Sequence, residues 1–280
     1  MNLNANKLLI WLLGAAAFIL LLMPFLPVEG GSVATGLIGD KFDKEIGRLD
    51  TLDGIEKAVP KYIKDTGNPD RDYARALAEV VQLHTIHGIS RQSWRENWIA
   101  NLIDKFGIPN SSFSGRMRPE DLIKDNIAYC SQVSLILQEL FRRKGIEYAT
   151  VRFNVGGPPP HSAVAARPDG VWRYYDASYE AVEQGVPFRQ LIETDRFLSI
   201  YQDKSWDSNK IGKEFYDLAK QGKIKIIDIN GRGPYRGLLF QDITKFLSNY
   251  IWLFPFTLMM AMVFFSRRVA SRKVRKSFLR

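Results

Sequence analysis

The sequence is poor in cysteine and histidine, two residue types that commonly form metal sites and disulfides. Cys130 is the only cysteine among 280 residues, and the three histidines are His84, His87 and His161. A single cysteine excludes an internal disulfide. A structural zinc site takes about four ligands, mostly Cys and His, and no cysteine or third histidine lies near His84 and His87 in the sequence. We therefore expect no metal and no cofactor.

Charge is absent from two long apolar runs, 8–28 and 246–265. Each has about 20 residues, enough for a helix to cross the ~30 Å of hydrocarbon in a bilayer. We predict a transmembrane anchor in 1–28 and a second transmembrane helix over 246–265. The alternatives are a cleavable signal peptide for the first run, because residues 32–34 form a small-x-small pattern, and a buried core helix for the second. Signal-peptide cores are usually shorter, roughly 7–15 residues, which favours the anchor.

Acidic residues are absent from the C-terminal tail, 266–280. Its seven basic residues are Arg267, Arg268, Arg272, Lys273, Arg275, Lys276 and Arg280. Short basic flanks of membrane helices stay in the cytoplasm. We therefore predict a two-pass protein of a bacterial inner membrane, with a cytoplasmic tail and a cytoplasmic N-terminus that carries Lys7. Residues 29–245 would then lie in the periplasm or outside the cell.

The formal net charge of +9 is concentrated in this tail. The seven basic residues of the tail and Lys7 leave 31 of the 39 basic residues to balance the 30 acidic ones in the soluble region. A basic segment beside a membrane helix attracts anionic lipid headgroups. We therefore expect the lipid bilayer as the partner of this charge, and no nucleic acid.

Helical periodicity is typical of residues 29–110, which we predict to be a helical region. Proline suits the first turn of a helix, so a further short helix should begin at Pro119. The helices expected in this part of the chain lie over 41–66 with an interruption at Pro60, over 70–88 with Asp70 as the cap, over 93–105 with a stop at Gly107, and from Pro119 onward.

The segment after Cys130 has the pattern of a helix that packs on a core. Its apolar residues, spaced by three and four, are Val133, Ile136, Leu137, Leu140 and Phe141. Such a stripe must pack inward. Basic residues and then Gly145 give a typical helix C-terminus. Counting back places Cys130 in the first turn, where the helix dipole favours the thiolate over the thiol.

A period of two follows this helix, which is typical of strands. Strands are predicted over 151–155, 161–166 and 171–176, with a loop over 156–160 and a turn within 168–170. The further elements expected, in chain order, are helices over 188–201 and 211–220, an edge strand over 223–229 and a turn-rich linker over 231–237.

The predicted hairpin brings an acid toward His161. If Pro168-Asp169 forms the turn, His161 lies directly opposite Asp176. If Asp169-Gly170 forms it, Ala163 lies opposite Asp176 and His161 is its diagonal neighbour. In both registers the two side chains share one face of the sheet.

Cys130, His161 and Asp176 together have the order that a Cys-His-Asp triad needs. A histidine takes the proton of the thiol, and an acid fixes the tautomer of the ring. Each residue alone has a structural alternative: a small buried side chain, a core histidine and a solvated acid. The order and spacing of all three favour the triad over coincidence or a decayed site.

The run 119–179 resembles the transglutaminase-like superfamily, whose core is a papain-type Cys-His-Asp fold. The matching features are Ala128-Tyr129-Cys130-Ser131-Gln132, Lys144-Gly145-Ile146, His161 at a strand start, and Asp169-Gly170-Val171-Trp172-Arg173-Tyr174-Tyr175-Asp176. The resemblance implies an α+β domain over 111–245, with a C-terminal extension, in which a helix carrying the cysteine packs on an antiparallel sheet. It also implies Cys130 as the nucleophile, His161 as the general base and acid, and Asp176 as the orienting acid.

The predicted triad and the predicted membrane segments are compatible with two functions. The first is a membrane-anchored thiol enzyme, a cysteine protease or amidase or a transglutaminase-like acyl transferase, that acts on a protein or peptide-like amide outside the cytoplasm. Its oxyanion donor would be the backbone N–H of Cys130, with Asn126 as a weaker candidate. The second is a non-catalytic transglutaminase-like subunit of a membrane complex that exports or modifies surface polymers. The sequence does not choose between hydrolysis and acyl transfer.

Overall fold

In a computed structural model of the protein, the residues described are 3–28, 30–35, 41–107, 113–153, 161–178, 183–201, 208–231 and 235–277. Contacts divide the chain into two compact units. The helical unit comprises Met1–Gly31, Gln92–Ser114 and Arg236–Arg280, and the sheet unit comprises Ser32–Arg91 and Gly115–Tyr235. The domain bounds predicted from the sequence stay predictions.

The secondary structure contains both helices and strands. The α-helices are α1 (Leu3–Leu22), α2 (Leu52–Ala58), α3 (Pro69–His84), α4 (Trp98–Phe106), α5 (Pro119–Asp125), α6 (Cys130–Lys144), α7 (Phe188–Glu193), α8 (Arg196–Ile200), α9 (Ser208–Lys220), α10 (Tyr235–Tyr250) and α11 (Leu253–Ser277). The strands are β1 (Val33–Ala34), β2 (Ile86–Ile89), β3 (Ile127–Ala128), β4 (Tyr148–Phe153), β5 (Ser162–Ala166), β6 (Arg173–Tyr175), β7 (Val186–Pro187) and β8 (Ile224–Ile227). Short 3-10 helices cover Met23–Phe25, Ile46–Arg48 and Val59–Tyr62.

The helical unit begins with a helix that suits the predicted anchor. Among the described residues, Asn6–Phe25 is the only unbroken helical stretch that is long and apolar enough to cross a membrane. α1 packs against α11. Gly14 lies at this contact, because a Cβ there would lie 3.1 Å from Sδ of Met259. A small residue thus lets the two helices approach closely, as is common between membrane helices.

The second predicted span is interrupted, so the prediction of one helix over 246–265 is wrong. α10 ends at Tyr250 and α11 begins at Leu253, with a bend of 42° between them. Pro255 explains the break, because in a continuous helix its ring would clash with the carbonyl of Ile251. In the structure Pro255 lies in the first turn of α11, where proline is tolerated. The two helices are long and apolar enough to cross a membrane only together, as one broken span, and this crossing stays a prediction.

The sheet unit is α+β, as predicted. Its main sheet has five antiparallel strands in the order β7-β6-β5-β4-β8. β8 lies at an edge, as the alternation in 223–229 indicated. One cluster of buried side chains joins Val164 and Tyr175 of the sheet to α3 and α6. A second cluster joins Ala165 and Tyr174 to α7, α8 and α9. The sheet is therefore covered by helices on both faces.

A second, three-stranded sheet contains β1, β2 and β3. β2 pairs with β1 in antiparallel and with β3 in parallel orientation. Gly88 lies in β2, where the Cβ of any other residue would overlap the carbonyl oxygen of Val33 and lie 2.7 Å from Cγ2 of Ile127. The prediction of a helix ending at Gly88 is therefore wrong, because this glycine serves the close approach of strands.

Other helix bounds agree with the sequence in part. α6 begins at Cys130 and ends at Lys144, and it is followed by Gly145, whose φ is 75°, so the predicted helix is confirmed. α3 is capped by Asn68, whose side chain accepts a hydrogen bond from Arg71, and not by Asp70. α4 starts later than predicted because Asn97 is its cap.

The remaining predicted elements differ mainly in their continuity. The helix predicted over 41–66 is split, with α2 between two 3-10 helices. The helix predicted over 188–201 is split into α7 and α8. The loop predicted over 156–160 lies outside the described residues. α10 already begins inside the predicted linker over 231–237.

Candidate active site

Cys130 is the first residue of α6 and is 3% exposed. Gln132, in the first turn, fixes this end of the helix. Its side-chain oxygen accepts hydrogen bonds from the backbone N–H groups of Tyr129 at 3.0 Å and Ser90 at 3.1 Å. Its amide group donates to the carbonyls of Ser90 at 2.8 Å and Arg116 at 2.9 Å. Because both donors and both lone pairs of the amide are used, the position of the Cys130 backbone is tightly determined.

The hairpin of β5 and β6 adopts the second of the two registers that the sequence allowed. Ala165 pairs with Tyr174 in the antiparallel ladder. Extending this register places Ala163 opposite Asp176, with His161 as the diagonal neighbour. Successive side chains of a strand alternate between faces, so His161 and Asp176 lie on the same face of the sheet.

The turn between β5 and β6 explains this register. Gly170 has a φ of 81°, a left-handed conformation that glycine adopts without strain. The carboxylate of Asp169 accepts hydrogen bonds from Nε of Arg173, at 3.0 Å to each oxygen. The Arg173 guanidinium also donates to the carbonyl of Gly185 at 3.1 Å. These contacts hold the turn at Asp169-Gly170, and the position of this turn determines where Asp176 lies.

His161 and Asp176 form a buried hydrogen-bonded pair. Each residue is 1% exposed, and His161 Nε2 lies 2.8 Å from Asp176 Oδ2. Because Nε2 donates its hydrogen to the carboxylate, Nδ1 is the ring atom that can exchange a proton with a thiol.

The pKa of His161 is raised to about 9. Burial would lower this pKa, since it disfavours the charged ring. The carboxylate of Asp176 outweighs burial by its charge and its hydrogen bond, and Cys130 raises the pKa further by a hydrogen bond and by its charge. The Cys130 sulfur therefore lies within hydrogen-bonding reach of the ring. The structure thus brings the three residues of the predicted triad together, while their catalytic assignment stays a prediction.

Two aromatic side chains, themselves in contact with each other, pack against the His161 ring. The ring stacks on Phe215 of α9, with centroids 5.1 Å apart and planes at 19°. The ring of Phe153, in β4, lies 5.3 Å away and is tilted. Since Phe153 and Phe215 are themselves buried, the imidazole has little freedom to rotate.

The carboxylate of Asp176 accepts several hydrogen bonds besides that of His161. Its Oδ2 accepts from the hydroxyl of Tyr201, and Tyr174 lies 3.4 Å away. Its Oδ1 accepts from the backbone N–H and the hydroxyl of Ser178, at 3.1 and 2.8 Å. Burial alone would raise the pKa of Asp176, but His161, Tyr201 and Ser178 outweigh burial and lower it. The acid is therefore held as a carboxylate.

The backbone of Asp176 is also held in place. Its N–H donates to Oε1 of Gln184 at 2.8 Å, and the side-chain amide of Gln184 donates to the carbonyl of Asp176 at 2.6 Å. This pair of bonds fixes the chain just beyond β6. The Asp176 side chain therefore stays aimed at the ring.

Tyr129 is a neighbour of the thiol that also reaches solvent. Burial, the charge of Cys130 and a hydrogen bond to Cys130 together raise the pKa of the Tyr129 phenol. Tyr129 is 39% exposed, and its ring packs on that of His87 with centroids 5.5 Å apart. Nδ1 of His87 lies 2.9 Å from Oγ1 of Thr35. Tyr129 is thus placed to contact a molecule that approaches the sulfur.

The other candidates from the sequence lie in different elements. His84 ends α3, with Nε2 at 2.8 Å from the carbonyl of Leu49, and burial lowers its pKa. His87 lies in β2, so the two histidines do not share a helix face. Asn126 has a φ of 45° and donates to the carbonyl of Gly47 at 3.3 Å. Among the described residues, no group of three or more His, Cys, Asp and Glu side chains could hold a metal.

Several residues of this site carry no recognisable signal in the sequence. Tyr201, just after α8, and Phe215, in α9, follow Asp176 by 25 and 39 positions. The apolar pattern of these segments indicates only a buried face. Ser178 and Gln184 lie in a stretch without periodicity. Gln132 is part of the matching segment around Cys130, but three of its four bonds reach Ser90 and Arg116, which a local pattern does not bring near it.

Comparisons with known proteins identify no family for this chain. No family model matches this chain, and no curated protein matches it. Among solved structures, a similar chain is a protein described as a candidate cysteine protease from Cytophaga hutchinsonii, with 18% sequence identity and a TM-score of 0.25. The similarity covers 59% of this chain and 48% of that one, so this chain spans about half the length of that protein. At this TM-score the likeness carries no argument.

Proposed function

We propose that this protein is a membrane-anchored thiol enzyme with a transglutaminase-like core, which cleaves or exchanges an amide bond of a protein or peptide-like substrate outside the cytoplasm. The observation that carries the proposal is the buried pair of His161 and Asp176 next to Cys130 at the start of α6. Burial of an imidazole and a carboxylate costs free energy of folding. Acceptance of the proton of the thiol is a function that would account for this cost.

In the proposed reaction, His161 accepts the proton of Cys130 at Nδ1. The thiolate sulfur attacks the carbonyl carbon of the substrate amide, and the oxyanion is stabilised by the backbone N–H of Cys130 and the N-terminal end of α6. His161 then donates the proton to the leaving amine, the C–N bond breaks, and a thioester remains on Cys130. Water resolves the thioester in a protease or amidase, and an amine does so in an acyl transferase.

The residues around the pair would act as positioning residues. Asp176 keeps the ring in the tautomer that leaves Nδ1 for the thiol and stabilises the imidazolium. Phe153 and Phe215 limit rotation of the ring. No described residue is needed as a metal ligand for this chemistry, since the thiolate itself is the nucleophile.

The low exposure of the site favours a second candidate function. Cys130 is 3% exposed and His161 is 1% exposed, as expected for side chains that only fill a core. In this case the protein would be a non-catalytic transglutaminase-like subunit of a membrane complex, and the site would be a remnant that stabilises the fold.

Alkylation of Cys130 separates the two functions. The full chain, in its native membranes, is treated with iodoacetamide at several pH values between 5 and 9, and the labelled fraction is measured by mass spectrometry. An enzyme should be labelled well below the pH at which an ordinary thiol ionises, about 8.5, and His161→Ala should remove this reactivity at low pH. The urea-unfolded protein gives the rate of an accessible, ordinary thiol.

Two controls sharpen this experiment. Asp176→Asn should leave the thiol labelled but slow any turnover, because the ring loses the group that sets its tautomer. His84→Ala removes a histidine that contacts Leu49 and not the thiol, and should leave the pH profile unchanged. If the native thiol is not labelled at any pH in this range, or if wild type and His161→Ala have identical profiles, the enzyme proposal gives way to the subunit.

A further inference from the structure

The polarity of α10 is the reverse of that of a helix on a water-soluble protein. Its buried side chains are polar: Gln241, Thr244 and Ser248 are 3%, 5% and 1% exposed. They are spaced by three and four residues, so they form one face of the helix. A helix packed on a soluble core would place apolar residues on this face.

The buried polar face of α10 is hydrogen-bonded to the segment 92–114 of the same unit. Oγ1 of Thr244 accepts from the side-chain amide of Asn97 at 2.9 Å. The hydroxyl of Ser248 donates to Oδ1 of Asn97 at 3.1 Å and accepts from the N–H of Ile99 at 3.2 Å. Nε1 of Trp98 donates to the carbonyl of Ser248 at 2.9 Å. Polar groups are thus satisfied inside the unit and withdrawn from its surroundings.

The opposite face of α10 is apolar and exposed. Leu239, Ile243, Phe246 and Tyr250 are 47%, 50%, 61% and 51% exposed. Their spacing of four, three and four residues places them in one line, which we call the α10 stripe, about half a turn away from the buried polar face. Single exposed apolar residues are common, but an aligned row of large ones marks a contact with an apolar partner.

We propose that the α10 stripe lies in lipid, at the boundary between the headgroups and the acyl chains on the outer side of the membrane. The inference rests on the membrane anchoring included in the proposed function. Polar groups inside and apolar side chains outside are what a lipid environment requires. After the bend of 42°, α11 continues with a further apolar segment. The stripe, whose Phe246 and Tyr250 belong to the predicted span 246–265, is therefore continuous with the apolar residues of α11.

The exposed polar residues beside the α10 stripe, which we call the flank, indicate how deeply α10 lies in the membrane. Asp242, Lys245 and Asn249 are exposed along one side of the helix, between the stripe and the buried face. Charged groups at this level are easily accommodated by headgroups and water but not by hydrocarbon. Tyr250 and Trp252 lie at the bend, and such amphipathic rings are enriched at the membrane interface. Together these features place α10 in the interfacial layer.

Site-directed spin labelling of the full chain in vesicles of phosphatidylethanolamine and phosphatidylglycerol tests the proposal. Cys130→Ser gives a cysteine-free chain, because Cys130 is the only cysteine. Single cysteines are then introduced at exposed positions of the stripe and of the flank and carry a nitroxide. Collision with oxygen, which concentrates in lipid, is compared with collision with a water-soluble nickel chelate.

The labels at Ile243→Cys and Phe246→Cys should favour oxygen over the nickel chelate severalfold more than the labels at Asp242→Cys and Asn249→Cys. Phe18→Cys, on the exposed side of α1, reports on the anchor itself. All five positions are exposed, so the labels should not disturb packing, and circular dichroism checks that the helices are retained.

Each other outcome overturns the inference. If the stripe labels collide with the nickel chelate as often as the flank labels do, the stripe faces water. If the stripe labels are protected from both reagents, another protein covers the stripe. An oxygen-favoured label at Phe18→Cys together with either result rejects lipid contact of the α10 stripe but keeps the anchor. A water-exposed label at Phe18→Cys rejects the anchoring and the inference together.

Discussion

Replacing Asp176 with asparagine should reverse the pH dependence of the stability of the sheet unit. In the wild type, the pKa of His161 is raised from 6.5 to about 9, with Asp176 as the main cause that acts against burial. A group whose pKa is raised by folding stabilises the folded state fully below its unfolded pKa, and this contribution is lost as the pH rises through the folded pKa. The wild type should therefore lose stability between pH 6.5 and 9.

The size of this loss follows from the pKa values. One pKa unit corresponds to ~1.4 kcal/mol, so the rise to about 9 corresponds to roughly 3 kcal/mol of the free energy of unfolding. In Asp176→Asn the carboxylate is gone and burial dominates, which lowers the pKa of His161 below 6.5. Protonation of His161 should then no longer stabilise the variant, and its free energy of unfolding should fall as the pH falls below about 6.5.

Pulse proteolysis in urea measures this effect on the full chain in detergent micelles. A short protease treatment cleaves only the unfolded fraction, and the midpoint in urea gives the free energy of unfolding at each pH. Glu147→Gln is the matched control, since it removes a half-exposed carboxylate near Arg167 and should leave the slope unchanged. A wild type whose stability is constant between pH 6.5 and 9, or an Asp176→Asn variant with the wild-type slope, would refute the reasoning.

Three further predictions concern the core, the hydrogen bonds to the acid and the topology. Leu137→Ala should lower the free energy of unfolding by roughly 2–5 kcal/mol because it leaves a cavity under α6. Cys130→Ser should leave the far-ultraviolet circular dichroism spectrum and the fold unchanged, and the opposite pair of results would contradict the assignment of α6. Tyr201→Phe should lower that free energy by roughly 1.5–3 kcal/mol, since a charged acceptor loses a donor. Tyr174→Phe removes a 2.7 Å hydrogen bond between neutral hydroxyls, to Tyr201, and a donor 3.4 Å from the acid, and should cost less, roughly 0.5–1.5 kcal/mol, in urea titrations. Protease added to intact spheroplasts should cut 29–245 and spare the basic tail, and a cut tail with a protected middle would reverse the predicted orientation.

The helix that carries the cysteine could be predicted because its signals are local. The apolar spacing from Val133 to Phe141 and the glycine at position 145 lie within one segment, and the observed bounds of α6 follow them. The α+β class also follows from the alternation of periods. For the hairpin, the sequence allowed two registers, and the choice depends on the ion pair of Asp169 with Arg173, which only the folded turn brings together.

The parts that could not be predicted depend on contacts between distant segments. β2 follows directly after α3 and is defined by its pairing with β1 and β3, so periodicity alone extends the helix through it. Tyr201 reaches Asp176 across 25 residues. The end of α10 was missed because the apolar composition of 246–265 is uniform, while the helix is interrupted by a single proline.

The lack of room at Gly88 has a consequence for the comparison of related sequences. Even alanine at this position would push the carbonyl of Val33 and the side chain of Ile127 out of place, so β1 and β3 could not both stay paired with β2. Descendants of a common ancestor that keep this sheet should therefore keep glycine at position 88, although it takes part in no chemistry. An invariant glycine column would then report an architectural requirement, and a search for active-site residues by invariance alone would select it beside Cys130 for an unrelated reason.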